Sequence, residues 1–501
     1  MKTLTPLLFI SLTLLSISLF GQECGTIIKK IDLGGNDSTL SSDLSKDGFI
    51  YLAGSVSRPG NINGAFVLKT DVSGNVIWSR VITGNRTQVF RKLIATSDSG
   101  LITTGSSSTY SPAPNFATLV VKWDKNGNMQ WARSLNIQSQ FGDWGLGVTE
   151  TSDGGYLVVG NLNSAGFRGS GYTLKLDRNG NAQWAKKFDF FEGINIRNAT
   201  EIADGYLLAG EYLFESNTTY RPLIVKVNKA TGAIQLIKSF QSPEVIINSS
   251  PLKKRQGGYF FNCMRMATAP GNSGWQQVVL YLNDNFEIEK SIIFNQPGEK
   301  NYSETHLVPM PDGGFVSATG TDNSLTGADL YRLDAQANIT WRRKIDGAGP
   351  QKMAAVTQIS GDDFLFAGSA TNAQGEKDIL WVRTPTNKID TSCLLENSEI
   401  ETLPLDIEPV SFSFDNVSDL PFSFWTSVSP AIESDRFKET FSCTKLEVSN
   451  DTTVCKGSTA QLIASGADSY TWSPASGLSN PNIANPQATV NSPMVYKVTA
   501  T

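Results

Sequence analysis

A single histidine in 501 residues, His306, leaves no way to build a His-based metal site or a two-histidine mechanism, although carboxylate chemistry stays open. Charge is scarce as well: 18% of the chain is charged, against about 25% in an ordinary soluble protein, and 42 Lys and Arg face 47 Asp and Glu. The resulting net charge of −5 supplies no basic field to hold nucleic acid. No apolar run beyond residue 20 approaches the ~18 residues that cross a bilayer, and no 3.6-residue period appears, which excludes membrane and helical bundles. What is plentiful is Gly (44 residues), together with Ser, Thr and Asn, on a background of 40% apolar residues. That composition describes cores made of short strands joined by tight turns, and the length allows about two to four domains.

The N-terminus has its own pattern. Met1-Lys2 precedes an uncharged, mostly apolar stretch from Leu4 to Phe20 and then Gly21-Gln22, which reads as a secretory signal peptide over residues 1–21. A membrane anchor fits less well, because the stretch is short and no basic flank follows it. Lipid attachment at Cys24 is excluded by Glu23, which stands where a small residue is needed. The mature chain is therefore expected to be secreted or at the cell surface, without membrane insertion after cleavage. Losing Lys2 takes its charge from −5 to −6. Export permits disulfides, and the five cysteines, Cys24, Cys263, Cys393, Cys443 and Cys455, follow no zinc spacing. Cys263 falls in an apolar strand pattern and is expected to be a buried free thiol.

The strongest signal is internal repetition. Asp71-Val-Ser-Gly-Asn-Val-Ile-Trp78, Asp124-Lys-Asn-Gly-Asn-Met-Gln-Trp131, Asp177-Arg-Asn-Gly-Asn-Ala-Gln-Trp184 and Asp334-Ala-Gln-Ala-Asn-Ile-Thr-Trp341 share one pattern, with Leu236 and Ile288 at the Trp position of two degenerate copies. Upstream of these, Asp-Gly-like turns recur seven times, as at Asp47-Gly48 and Asp153-Gly154, each followed by a short apolar run that ends in Gly in six cases. Each unit reads as four strands with short first and third connections and a long second one. Seven such units of ~50 residues predict an all-β, seven-bladed β-propeller over residues 22–390, with a β-sandwich array as the weaker alternative. The seventh unit stops after its third strand, Asp378 to Arg383. Gly25 to Asp32 resembles the missing fourth strand, so the ring is expected to close by pairing the two ends of the propeller.

Residues 391–445 alternate polar and apolar positions and read as a small β extension. Cys393 and Cys443 bracket it and are the favoured disulfide, with Cys24–Cys393 as the alternative; closing about 50 residues in this way is worth ~4 kcal/mol by loop entropy. The tail, 446–501, carries Asp451-Thr-Thr-Val-Cys455, Trp472-Ser-Pro-Ala-Ser-Gly-Leu478 and Val495-Tyr-Lys-Val-Thr. These segments resemble the PKD-like, immunoglobulin-type β-sandwich domains near the C-termini of large secreted proteins of gliding Bacteroidetes, known as gliding-motility-associated. In that family the early Cys pairs with a second one shortly after the Tyr-x-Val-Thr strand. The present sequence ends before that position, which implies a truncated domain with Cys455 unpaired. The propeller itself resembles, more loosely, the Asp-Gly-Gly-Tyr repeat propellers of the same bacteria.

Several motifs admit a chemical and a plainer reading. Asp124-x-Asn126-Gly127-Asn128 and Asp177-x-Asn179-Gly180-Asn181 are oxygen-rich like calcium loops, but no Glu closes them and hairpin turns account for the same residues. The periodic Trp could stack sugars, yet strict periodicity suits blade packing. The Gly-x-x-x-Trp cadence is similar to that of quinoprotein dehydrogenase propellers, but nothing marks a quinone pocket, and sialidase Asp boxes are absent. His306 falls in a first-strand run beside the ring axis and reads as structural. The remaining candidates belong to the face carrying the long second-to-third-strand loops: Tyr110, Arg168, Tyr212, Phe214, Tyr220, Arg221 and Trp275, with Trp144 in a loop between blades on the same side. Such aromatics suit glycan or protein recognition, or else they staple their own loops. The sequence thus predicts a non-enzymatic binding or adhesion protein with a glycan or extracellular protein partner, no cofactor and no metal, its tail acting as a spacer. A propeller glycoside hydrolase or lyase using paired carboxylates is the first alternative, and a structural component associated with gliding motility the second.

Overall fold

The computed structural model describes residues 27–500 apart from 59–61, 85, 111–114, 137–141, 163–168, 190–192, 215–218, 242–245, 249–251, 268–273, 296–305, 320–327, 346–350, 373–374 and short stretches between the strands of 387–468. The expected leader lies outside these residues. All regular structure among them is β, and seven sheets form a seven-bladed propeller. The first blade, for instance, runs outward from the axis as Asn36–Leu44, Ile50–Arg58, Ile62–Thr70 and Val76–Thr83.

The ring closes by the expected strand pairing. Ile27–Asp32 lies antiparallel beside Lys377–Pro385, with Ile28 opposite Val382 and Lys30 opposite Leu380. Its alternate side chains serve two neighbours. Ile28 joins Val316, Phe366 and Leu380 in the core between blades six and seven, while Ile31 joins Leu52, Phe66 and Trp381 between blades seven and one. Deleting residues 24–34 is therefore expected to open both cores and lower the urea midpoint. An unchanged midpoint would mean that the strand is a dispensable terminus.

The recurring residues of the repeat each meet a physical need. The second strand's closing glycine sits where the inner strand bulges: a Cβ at Gly54, Gly105, Gly160, Gly210 or Gly368 would come within 1.8–1.9 Å of the carbonyl oxygen of Ser38, Val89, Trp144, Asn195 or Lys352. The Asp of the first hairpin pairs with a cation on the third strand, as in Lys122–Asp98 (2.8 Å) and Lys175–Asp153 (2.8 Å). Trp78, Trp131 and Trp184 of the fourth strands each donate Nε1–H to a carbonyl in the next blade's hairpin, Lys125, Arg178 and Lys229 respectively. Their rings cover Gly127, Gly180 and Gly232 of those hairpins. The Asp124 oxygens accept from Asn126 N, Asn128 N and Asn128 Nδ2, so that carboxylate is consumed by its own turn.

The stretch after the seventh blade adds to the propeller. Leu395–Glu396 pairs with the outer strand of blade six, Glu401–Pro404 with blade five, Glu408–Val410 with blade four, Val417–Asp419 with blade three, Trp425–Ser427 with blade two, Ala431–Ser434 with blade one and Lys438–Cys443 with blade seven. One strand falls on each blade, all antiparallel, in the reverse of the order in which the blades were built. The chain thus forms a belt around the whole ring. Its last strand also clasps the closing strand, which lies between Lys377–Pro385 and Lys438–Cys443. The expected Cys393–Cys443 disulfide lies outside the described residues, as does Cys24; the belt strands next to the two cysteines are on neighbouring blades. Cys263 is a buried free thiol and Cys455 an exposed one.

The tail contains three two-stranded sheets, Glu447–Val448 with Ala464–Ser465, Thr459–Gln461 with Gln487–Thr489 and Tyr470–Ser473 with Lys497–Ala500. Trp472 is buried among them and donates Nε1–H to Ile483 O at 2.9 Å.

Candidate binding site at the channel mouth

Seven inner strands surround the axis, each starting at the long-loop face and ending at a short hairpin. In blades two and four the inner strands, Gln88–Ala95 and Ile194–Ile202, carry a bulge that leaves Arg91 and Arg197 without a ladder partner. A bulge re-aims the side chain it frees, and both freed positions here are arginines.

Around them a polar chain crosses from blade three to blade four. Asn161, which follows Gly160, donates to Asn195 Oδ1. Asn195 Nδ2 donates to Glu211 Oε1 at 3.0 Å. Arg197 grips the same carboxylate through Nε (2.8 and 2.9 Å) and Nη2 (2.7 Å). Glu211 is 1% exposed, yet the Arg197 side chain keeps 25% of its surface. The buried carboxylate is thereby compensated while part of the guanidinium faces outward.

On the other side, the Arg91 guanidinium lies 4.6 Å from the centroid of the Trp144 ring, and Phe116 meets that ring edge-on at 6.1 Å. Trp144 Nε1 is buried and has no hydrogen-bond acceptor among the described residues. A buried donor left unmade costs about 1–3 kcal/mol, which makes it a place for a ligand acceptor.

The sequence candidates distribute unevenly. Trp144 is at this mouth, but as the second residue of an inner strand, Asp143–Glu150, and not in a loop; the extended backbone continues because Trp144 pairs with Asn161. Tyr212 is a correction: it is buried in the core between blades three and four and accepts a hydrogen bond from Ser239 Oγ, so it presents nothing to a ligand. Tyr110 is half-buried against the core between blades one and two, and burial pushes its hydroxyl pKa up. Tyr220 and Arg221 are partly exposed in Thr219–Val227, beside Leu213 and Tyr212. Arg168 and the side chains of Phe214 and Trp275 lie outside the described residues. Arg91, Asn161, Asn195, Arg197 and Glu211 were not expected. Their one sequence signal is a polar residue immediately after the recurring glycine, Gly160-Asn161 and Gly210-Glu211.

Paired carboxylates of the kind a glycosidase needs would have to be reachable. After burial, the charges of Asp32 and Asp378 help to raise the Asp37 pKa, and that of Asp32 helps to raise the Asp378 pKa. Asp37 and Asp378 are buried, however, and cannot meet a polymeric substrate.

No family profile and no curated protein sequence matches the chain. Solved structures with a similar arrangement of strands include a protein of unknown function from Dyadobacter fermentans (11% identity, TM-score 0.35, 72% of this chain and 99% of that one). An apocarotenoid oxygenase from Synechocystis is another (12%, 0.40, 76% and 90%). A third is an ulvan lyase of polysaccharide lyase family 25 (10%, 0.39, 70% and 93%). The expectation that the protein is not an enzyme is corrected to this extent: the similar structures include an oxygenase and a polysaccharide lyase, at 10–12% identity.

Proposed function

We propose that this is an exported, surface-associated protein whose propeller recognises a glycan at the channel mouth of blades two to four. The observation that carries this reading is the array Arg91–Trp144 and Asn161–Asn195–Glu211–Arg197. Sugar hydroxyls donate and accept at once, and here partly exposed guanidinium donors, amides and an unmatched indole N–H are fixed side by side. Because they stand on the paired first and second strands of their blades and not on loops, little order has to be imposed when a ligand arrives. The leader supports export. The Asp451-Thr-Thr-Val-Cys455 and Trp472-Ser-Pro-Ala-Ser-Gly-Leu478 signatures support a PKD-like spacer and a setting at the surface of a gliding bacterium.

Trp144→Phe removes the unmatched N–H and keeps the ring, so glycan affinity is expected to fall about tenfold with no loss of denaturation midpoint. Calorimetric titration against a glycan panel checks this. Absence of binding to every glycan, or equal affinity of wild type and Trp144→Phe, would remove the mouth as the site.

A further inference from the structure

Below the mouth, the channel holds a second group of side chains that the mouth does not use. Lys92 comes from the inner strand of blade two, Asp43 from that of blade one, Lys253 from Lys253–Arg255 in blade five, and His306 immediately precedes Leu307–Pro309 in blade six. Blades one and two face blades five and six across the axis of a seven-membered ring. Despite lying as far apart in sequence as blades one and six, these groups alter one another's ionisation: Lys92 feels Lys253 and Asp43, and His306 feels both lysines. All four are partly exposed, as groups lining a narrow channel are, while protein surrounds them.

The charges do not balance. Among the described residues Asp43 is the one carboxylate coupled to the cations, and both its oxygens already accept backbone hydrogen bonds, Oδ2 from Ala95 N and Oδ1 from Leu44 N, each at 2.9 Å. Neither the Lys92 nor the Lys253 ammonium group makes an ion pair or hydrogen bond among the described residues. Two ammonium groups and an imidazole therefore converge with a single, already engaged, counter-charge. A fold gains nothing from such an arrangement by itself, since each cation is desolvated and repelled by the other. An anion between them removes both penalties.

We propose that the channel binds a small oxyanion, free or as the acidic group of a larger ligand, between Lys92, Lys253 and His306. This site is deeper than the mouth and does not depend on the reading given above for it. The lysines supply charge and point donors, and the imidazole, kept neutral by burial beside two cations, supplies one N–H. Burial and the neighbouring Lys253 also bring Lys92 down to about 8, so affinity falls as pH rises past that value.

The test is titration calorimetry of the full chain with sodium sulfate at pH 6.5 and constant ionic strength, and in parallel with a glucuronate-containing oligosaccharide and its neutral counterpart. Saturable one-to-one binding is expected, weakened at least tenfold in Lys253→Met and lost in the Lys92→Met, Lys253→Met double variant. Each Met substitution is expected to keep or raise the midpoint in sulfate-free buffer, because it removes one of two repelling charges. Trp144→Phe is expected to bind sulfate like wild type, which separates this site from the mouth. Sulfate binding assigns a free ion, and binding of the uronate alone assigns the acidic group of a larger ligand; either supports the proposal. Should the double variant fail to fold, Lys92→Met is read by its loss of the sulfate-dependent rise in midpoint. No saturable binding of either probe, or wild-type affinity in the lysine variants, overturns it.

Discussion

A chain ended at residue 390 is expected to denature at lower urea and to self-associate, although every residue of the seven four-stranded blades is still present. The belt strands lie on the outermost strand of all seven blades, such as Val76–Thr83, where Ala431–Ser434 pairs residue for residue from Thr83 to Arg80. Without them seven rows of unpaired N–H and C=O groups face solvent side by side around one ring, the arrangement that templates pairing with another molecule. Each ladder hydrogen bond contributes about 1 kcal/mol net, so a belt that pairs with every blade is worth a large share of a domain's marginal stability. The loss also reaches the closure, because Lys438–Cys443 covers the free edge of Ile27–Asp32. Light scattering and a urea midpoint check the expectation, and a peptide spanning 391–445 is expected to restore both by adding strands in trans. A truncated chain that stays monomeric with the midpoint of the full chain would show that the belt is ornament. Ligand-binding work on the propeller accordingly calls for the chain through residue 445.

The belt also marks where sequence reading stops. Blade count and closure were legible because the repeat carries its own punctuation: Asp-Gly and Asn-Gly turns, a period near 53 residues and a tryptophan that must cover the next hairpin's glycine. Residues 395–443 have no such grammar. Their strands are two to six residues long and draw register from an edge already formed, through backbone bonds that leave little trace in side-chain type. Sequence gave strand character there, not the destination. The candidate site divides in the same way. Trp144 was singled out, but exposure was misjudged for Tyr212, whose ring fills an interblade core. Arg91 and Arg197 matter because a bulge turns them out of the ladder, and a bulge is announced by nothing except the glycine opposite it. Lys92, Lys253 and His306 occupy no common repeat position, so only the closed ring brings them together.

Replacing Asp37 with Asn is expected to stabilise the protein, by an amount that depends on pH. Asp37 is the second residue of the first inner strand and is fully buried. One oxygen accepts from Leu33 N at 2.6 Å, and the other has no partner among the described residues. Burial, opposed by that hydrogen bond and reinforced by Asp32 and Asp378, pushes its pKa up to about 8, with Arg58 pulling the other way. A carboxyl whose folded pKa lies above its unfolded value binds more protons folded than unfolded. Its contribution is therefore fully present below the unfolded pKa near 4 and is lost as pH rises toward 8. At pH 7 that loss is on the order of 4 kcal/mol. Asparagine keeps an oxygen for Leu33 N, carries no charge to bury, and offers an amide donor to the neighbouring carboxylates. Urea midpoints of wild type and Asp37→Asn should coincide near pH 4 and separate progressively up to pH 8, with the variant higher. The acid limb, where hydrogen bonding and lysine pairing hold Asp98 and Asp153 below the usual carboxylate range despite partial burial, should be common to both. A difference that does not vary with pH, or a variant less stable at pH 8, would mean that Asp37 is ionised in the fold and that its unpartnered oxygen is satisfied in some other way.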